Sequence, residues 1–207
     1  MLAPVVLATA TIATAFGAVT VPAPAVAEAA AFPTGSIEDP TVRLSTRGLF
    51  ALFIGSDDLL DTALVDLAGE LGARLEVEPD RFLTAWRHAE RPQLRVMLSA
   101  LSQVGVSYRY ASAQPGRAFD CSGLVSWAWR QAGVELPTNS GDIISSHERT
   151  SIDDLEPGDV VWYPGHVMLA LGVDDTIVHA VNRGTPLKVD HLASNKRSRS
   201  AAIDPLG

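Results

Sequence analysis

The sequence around the single cysteine decides the fold, and residues 119–125 read FDCSGLV. From Cys121 onward, apolar side chains recur at positions i, i+3, i+4, i+7 and i+11, which places them on one face of a helix. This helix starts near Asp120, and Gly133 supplies its stop signal. The pattern predicts that Cys121 lies in the first turn of an amphipathic helix, on the side that faces the core.

Three helical patterns precede the cysteine. Ser56 caps an acidic first turn, and the helix that follows is predicted to end at Gly72. A second helix opens at Pro79 and a third at Pro92. The first two are predicted to form an added helical appendage within residues 46–91, which serves either as a structural element or as an autoinhibitory cap.

The hydrophobic pattern changes after the helix of Cys121 into short runs rich in Val and Ile, separated by turn residues. Helices that precede a set of strands are typical of an α+β fold. The sequence therefore predicts an α+β domain. Its antiparallel meander is expected to comprise residues 160–163, 166–171, 176–181 and 187–191.

Two histidines flank the turn between the second and third predicted strands. If the loop has an even number of residues, His166 and His179 share one face of the hairpin, with Cβ atoms about 5 to 8 Å apart. An odd loop would place them on opposite faces. A catalytic thiol needs an imidazole as its base and a further group that orients this imidazole. Cys121 and the two histidines can supply these groups, and ordinary strand histidines are the alternative. The other histidines are predicted to be surface residues: His88, His147 and His191.

Composition and charge exclude several classes of protein. The chain has 207 residues, of which 47% are hydrophobic, and this indicates one globular domain with an appendage. With 24 acidic and 16 basic side chains, its formal charge is −8, which argues against a nucleic-acid binder. Phosphate-binding loops, dinucleotide fingerprints and zinc-protease motifs do not occur in the sequence. We expect neither a cofactor nor a nucleic-acid partner.

The first 27 residues predict an export segment, because positions 2–27 carry no charged side chain. The small residues Ala25 and Ala27 offer a cleavage site for a signal peptide, with an uncleaved membrane anchor or a buried segment as alternatives. Residues 28–45 are predicted to be a linker. In an exported chain, a single cysteine cannot form an internal disulfide. The Cys121 thiol is therefore buried and inert, paired with another chain, or a nucleophile.

Six motifs occur along the second half of the chain: GVSY at 105–108, FDCSGLV at 119–125, LPTNS at 136–140, LEPGDVV at 155–161, GHV at 165–167 and IVHA at 177–180. In this order they resemble the NlpC-type cell-wall cysteine peptidases, and the corresponding domain is expected to cover residues 92–207. The resemblance implies a papain-like fold, in which the nucleophile helix packs on an antiparallel sheet. It also implies hydrolysis of amide bonds in peptidoglycan stem peptides, often between γ-D-glutamate and a diamino acid.

The resemblance implies a role for each matching residue. Cys121 would be the nucleophile, His166 the general base and then the acid, and His179 the orienting third residue. Tyr108 falls near the oxyanion. A buried carboxylate beside the nucleophile suits an ammonium group, such as the free L-alanine end of a stem peptide. The implied substrate-binding residues are Asp120, Ser122 and Ser140.

The chain departs from the family at residues 108–112, which read YRYAS where relatives commonly have Tyr-x-Trp-Gly-Gly. This change affects the expected width of the substrate site but not the cysteine and histidine pair. Three other functions stay open: a catalytically idle or partner-activated protein that binds stem peptides, a zinc site made of Cys121, His166 and His179, and an acyltransferase. The expected location is secreted or cell-wall associated in a bacterium, with membrane anchoring as the alternative.

Overall fold

The computed structural model describes residues 10–14, 17–21 and 34–207. The chain divides into two compact units, residues 1–33 and the remainder. In the first unit, β1 (Ala10–Thr14) pairs antiparallel with β2 (Gly17–Val21). The rest of the predicted export segment, and the first part of the predicted linker, lie outside the described residues. Within the described ranges, every helix is too short or too polar to cross a membrane.

The second unit opens with a helix that the sequence does not predict. Helix α1 (Pro40–Ile54) begins inside the predicted linker, so the linker prediction is wrong from Pro40 onward. The Asp39 side chain caps this helix by accepting a hydrogen bond from the Thr41 N–H at 2.8 Å, and proline occupies the first helical position. Asp and Pro favour helix starts as well as turns, which is why composition alone predicts a linker here.

The three predicted helices are present as α2 (Asp57–Leu75), α3 (Pro79–His88) and α4 (Arg91–Leu101). Helix α2 does not end at Gly72 as predicted but continues for three more residues. A Cβ atom at position 72 would lie 2.7 Å from the carbonyl oxygen of Val77. Glycine at this position therefore allows the chain to fold back closely against the helix that it has just left.

The cysteine lies on α5 (Cys121–Gln131), as predicted. A small three-stranded sheet stands directly before this helix, in the spatial order β3-β5-β4. Its strands are β3 (Ser107–Tyr108), β4 (Ala113–Gln114) and β5 (Ala118–Phe119). Two short helices follow later in the chain: α6 (Ser140–Ser145) and α7 (Ser194–Arg197).

The main sheet has six antiparallel strands in the order β10-β9-β8-β7-β11-β6. The predicted meander is confirmed as its first four strands, although β9 ends at residue 179, two residues earlier than predicted. The two remaining strands extend the far edge of the sheet. With the helices before it, this sheet confirms the α+β class. The strands are β6 (Arg149–Thr150), β7 (Pro157–Tyr163), β8 (His166–Leu171), β9 (Thr176–His179), β10 (Lys188–His191) and β11 (Ala201–Ile203).

One hydrophobic core joins the N-terminal helices to the main sheet. On α3, Phe82 and Trp86 are completely buried, with ring centroids 5.1 Å apart. Trp86 also donates a hydrogen bond from Nε1 to the carbonyl oxygen of Leu171 on β8, at 2.8 Å. The predicted appendage therefore shares its core with the sheet that carries the histidines. A smaller cluster, which includes Met168 and Ile177, is separate from this main core.

Candidate active site

Cys121 occupies the first residue of α5, and the preceding residue fixes this helix start. Asp120 accepts a hydrogen bond through Oδ1 from the Gly123 N–H at 2.7 Å, which caps the helix. A Cβ atom at position 123 would lie 2.1 Å from the carbonyl oxygen of Ser112, so only glycine fits beneath the loop that covers the helix. The thiol is half-buried as a result, at the point where this loop and the helix meet.

The surroundings of Cys121 keep its sulfur protonated at neutral pH. Burial raises the pKa of the thiol most strongly, and the charge of Asp120 adds to this effect. Backbone hydrogen bonds from Val167, Ser122 and the cysteine itself lower the pKa but do not outweigh burial. The structure thus shows a neutral thiol that needs a base, as expected of a catalytic thiol.

The two hairpin histidines lie together, as the even-loop register predicts. Leu169 pairs with Val178 and Ala170 with Ile177, which places His166 and His179 diagonally on one face of the hairpin. Nε2 of His166 lies 3.1 Å from Nδ1 of His179. The ring centroids are 5.2 Å apart, and the rings are inclined by 72°. This geometry is a hydrogen bond between two imidazoles.

Both imidazoles are neutral at neutral pH. Burial, together with the positive charge of Lys196, lowers the pKa of His166 to about 4. Burial also lowers the pKa of His179 to about 4, with a contribution from His166, whereas Asp190 acts in the opposite direction. His166 is therefore available to accept a proton, and its neighbour can hold the ring in place.

The hairpin acts on the thiol through the residue next to His166, because the backbone N–H of Val167 lowers the pKa of Cys121. Within residues 34–207, no hydrogen bond joins the thiol to an imidazole. Catalytic hydrogen bonds are commonly loose in unliganded enzymes and tighten when substrate binds. The resting arrangement is thus a neutral thiol beside a neutral imidazole, and not a preformed ion pair.

Tyr163 and Lys196 also belong to this site, and the sequence reasoning missed both. Tyr163 pairs with His166 across a two-residue turn, and the ring centroids are 5.2 Å apart. Nζ of Lys196 lies 4.9 Å from the centroid of the tyrosine ring, within range of a cation–π contact. The Pro-Gly turn between the strands was a sufficient signal for the Tyr163 pairing. Lys196 approaches from α7, which no sequence pattern placed here.

The charge of Lys196 gives a testable prediction for His166. Because this charge lowers the pKa of His166, the Lys196→Gln variant is expected to raise that pKa from its value of about 4. The Lys196→Arg variant keeps the charge and is expected to leave it unchanged. Titration of the imidazole signals by NMR measures both values. A pKa that falls in Lys196→Gln, or that rises equally in both variants, would contradict this assignment.

Two further predicted site residues, Tyr108 and Ser122, are linked to the start of α5. Tyr108 on β3 pairs with Phe119 on β5, and Phe119 directly precedes the helix cap Asp120. Burial raises the pKa of the Tyr108 phenol, as does the charge of Asp120, so the tyrosine stays a hydrogen-bond donor. Ser122 donates to Oδ1 of Asp120 at 3.2 Å, which makes these two neighbours one polar cluster.

The other predicted residues form no hydrogen bond with this cluster within residues 34–207. Ser140 is the first residue of α6, and its role in substrate binding stays a prediction. His88 and His191 are exposed and His147 is half-exposed, which agrees with their prediction as surface residues; His191 also contacts the carbonyl oxygen of Leu75 at 2.9 Å. Over residues 34–207, no three His, Cys, Asp or Glu side chains are grouped so that they could hold a metal ion. The zinc alternative therefore has no support from the arrangement of its three residues.

Part of this chain is similar to known proteins. The model of the NlpC/P60 family matches residues 105–201. A probable endopeptidase of Mycobacterium tuberculosis is 40% identical over 103 residues, which make up 48% of this chain and 26% of that protein. The bifunctional muramidase/DL-endopeptidase of Bacillus subtilis is 34% identical over 70 residues, or 34% of this chain and 21% of that protein.

A solved structure shares the fold. An NlpC/P60 family protein from Bacillus cereus superposes with a TM-score of 0.51 at 19% identity, covering 56% of this chain and 40% of that one. The fold is therefore the one that the resemblance predicts. The chain spans only about a quarter of the length of the M. tuberculosis relative.

Proposed function

Because the model of the NlpC/P60 family matches residues 105–201, we propose that the chain is an exported cysteine peptidase that hydrolyses amide bonds in peptidoglycan stem peptides. The observation that carries the proposal is the hydrogen-bonded pair His166 and His179 beside a helix that begins with Cys121. These are the three groups that thiol catalysis requires: a nucleophile, a base and a group that orients the base.

The neutral resting state determines the first chemical step. His166 removes the thiol proton as the sulfur of Cys121 attacks the substrate carbonyl carbon, which gives a tetrahedral intermediate with a negative oxygen. The Tyr108 hydroxyl, which keeps its proton, is suited to stabilise this oxygen. Protonated His166 then gives its proton to the leaving amine as the carbon–nitrogen bond breaks, and a thioacyl enzyme remains.

Hydrolysis of the thioacyl enzyme uses the same base. His166 takes a proton from water, the resulting hydroxide attacks the thioester carbonyl, and the sulfur leaves and recovers its proton. The product carries a new carboxyl group with one oxygen from water. The bond proposed is the one between γ-D-glutamate and the diamino acid. The name of the B. subtilis relative, a DL-endopeptidase, supports this choice.

Asp120 and Ser122 are proposed to recognise the free amino end of the stem peptide. Their carboxylate and hydroxyl are both at least nine-tenths buried, and they adjoin the nucleophile. A charged hydrogen bond from an ammonium to this cluster would position the peptide with its scissile bond at the sulfur. Capping the same amine should therefore weaken cleavage.

A second function, a stem-peptide-binding protein that is idle or activated by a partner, is favoured by one observation. The thiol has a raised pKa, and no hydrogen bond in residues 34–207 connects it to an imidazole. A partner that moves the His166 ring toward the sulfur would then be required for turnover. The two functions differ in what the purified chain does alone.

Mass spectrometry of defined stem peptides tests the proposal. The full chain is incubated with a tetrapeptide that has a free L-alanine end and with its N-acetylated form, in water enriched in ¹⁸O. We expect cleavage of the free peptide, one ¹⁸O atom in the new carboxyl group, and much slower cleavage of the acetylated form. Binding without cleavage would support the idle protein, whereas acyl transfer to an added amine without ¹⁸O uptake would indicate an acyltransferase.

A further inference from the structure

The outer nitrogen of His179 faces a carboxylate that the mechanism above does not use. Nε2 of His179 is buried and has no hydrogen-bond partner among residues 34–207. Oδ2 of Asp190 is 3.9 Å from this nitrogen. On β10, Lys188 pairs directly with His179, and Asp190 stands two residues further along on the same face. His166, His179 and Asp190 thus come from three neighbouring strands of the main sheet, β8, β9 and β10.

We propose that Asp190 is a positioning residue, which holds a proton on Nε2 of His179 and thereby sets the tautomer of His166. This inference deepens the proposed function and rests on it, because it concerns the base of the same reaction. It adds a fourth member to the set of Cys121, His166 and His179. Asp190 does not touch the reacting atoms and acts only through its neighbour.

Whether His166 can act as the base depends on where the protons of the two neutral rings lie. If His179 carries its proton on Nε2, its Nδ1 is an acceptor, and His166 must donate from its own Nε2. Nδ1 of His166 then keeps a free lone pair and can take the proton of the thiol. In the opposite arrangement, His179 donates from Nδ1 and His166 is protonated on Nδ1. That form of His166 cannot act as the base toward Cys121.

The charges around His179 favour the productive arrangement. His166, Asp190 and Lys188 are the groups that act on its ring. Burial opposes ionisation of Asp190, but its ion pair with Lys188 and a hydrogen bond from the His191 N–H hold its pKa below the usual value. The carboxylate is therefore negative at neutral pH. It attracts a proton to the near side of the His179 ring, across a gap that is longer than a hydrogen bond.

The test combines kinetics with a direct measurement of the tautomers. In ¹⁵N-histidine-labelled full chain, NMR correlations distinguish a proton on Nδ1 from one on Nε2, with His166→Gln used to assign the signals. We expect both rings of the native chain to carry their proton on Nε2. In Asp190→Asn, the signals of His166 are expected to shift toward the Nδ1-protonated form, because an amide can donate to His179.

Replacing Asp190 should lower the turnover rate and leave substrate binding nearly unchanged. Asp190→Asn is expected to lower kcat by about 10- to 100-fold with little change in KM, as for other groups that orient a catalytic histidine. Asp190→Glu keeps the charge and should recover most of the loss. The matched control is Asp174→Asn. Asp174 is exposed on the turn after β8 and forms an ion pair with Arg81 of α3. This variant should leave both tautomers and kcat unchanged.

Two results would overturn the inference. One is a native chain in which His179 carries its proton on Nδ1, a measurement that needs no variant and no substrate. The other is an Asp190→Asn variant with native tautomers and kcat within twofold of the native value. If the native chain cleaves no stem peptide at all, the proposed function fails, but the NMR experiment still decides whether Asp190 sets the tautomer.

Discussion

Replacing Cys121 with alanine is expected to lower kcat/KM for stem-peptide cleavage by about 10⁴-fold or more, because no other group in the site can form the thioacyl intermediate. The chain contains one cysteine, so alkylation of the native protein with iodoacetamide is expected to add a single group and to abolish cleavage as well. Cleavage is followed by mass spectrometry of the same tetrapeptide. Because the raised pKa keeps the thiol neutral, alkylation should speed up as the pH rises above 7.

The matched control for this variant lies on the same helix. Ser126→Ala removes a buried hydroxyl that donates to the carbonyl oxygen of Ser122 at 2.8 Å, and it should leave cleavage within about twofold, as a change remote from the reacting atoms. Both variants should keep the native circular dichroism spectrum. Full activity in Cys121→Ala would exclude thiol catalysis. Loss of activity in both variants would point to a general disturbance of α5.

The hairpin shows how much of the site the sequence could predict. If the loop has an even number of residues, His166 and His179 share one face in either register, and the loop of residues 172–175 meets this condition. The position of Cys121 in the first turn of a helix could also be predicted, since the capping residue Asp120 directly precedes an apolar stripe. These predictions succeed because each depends on short separations along the chain or across one turn.

The parts that the sequence could not predict depend on distant contacts. Asp190 meets His179 only because β10 has a particular register on β9, and Lys196 reaches Tyr163 from a four-residue helix. The protonation of the thiol is a matter of burial, which the position at a helix start does not reveal. Strands β6 and β11 have two and three residues, too few to produce a periodic pattern.

The N-terminal helices pose a different question, because the sequence leaves open whether residues 46–91 support the domain or cap its active site. Their packing favours support. Phe82 and Trp86 have no exposed surface, and the indole donates to the Leu171 carbonyl on the strand that begins with His166. Removing these helices would expose the same core that the sheet and α5 share. Their deletion is therefore expected to unfold the domain and not to release it.

A single substitution tests this expectation without deleting a segment. Trp86→Ala is expected to lower the free energy of unfolding by about 3 to 5 kcal/mol, because it leaves a cavity and an unpaired carbonyl in the shared core. Trp86→Phe keeps most of the packing and should lose about 1 to 3 kcal/mol for the hydrogen bond. Phe53→Ala, at an aromatic side chain that is 45% exposed on α1, should lose much less. Urea unfolding followed by circular dichroism measures all three.

The Trp86→Ala variant also shows whether residues 46–91 support the domain or restrain its active site. If α3 is part of the core, Trp86→Ala loses stability and its kcat/KM does not rise above the native value, since the hairpin beneath α3 becomes less rigid. If the helices are a cap, the variant loses less than about 1 kcal/mol, as for a surface contact, and cleaves stem peptides faster. A rise in activity without a loss of stability would thus indicate that residues 46–91 are an autoinhibitory element.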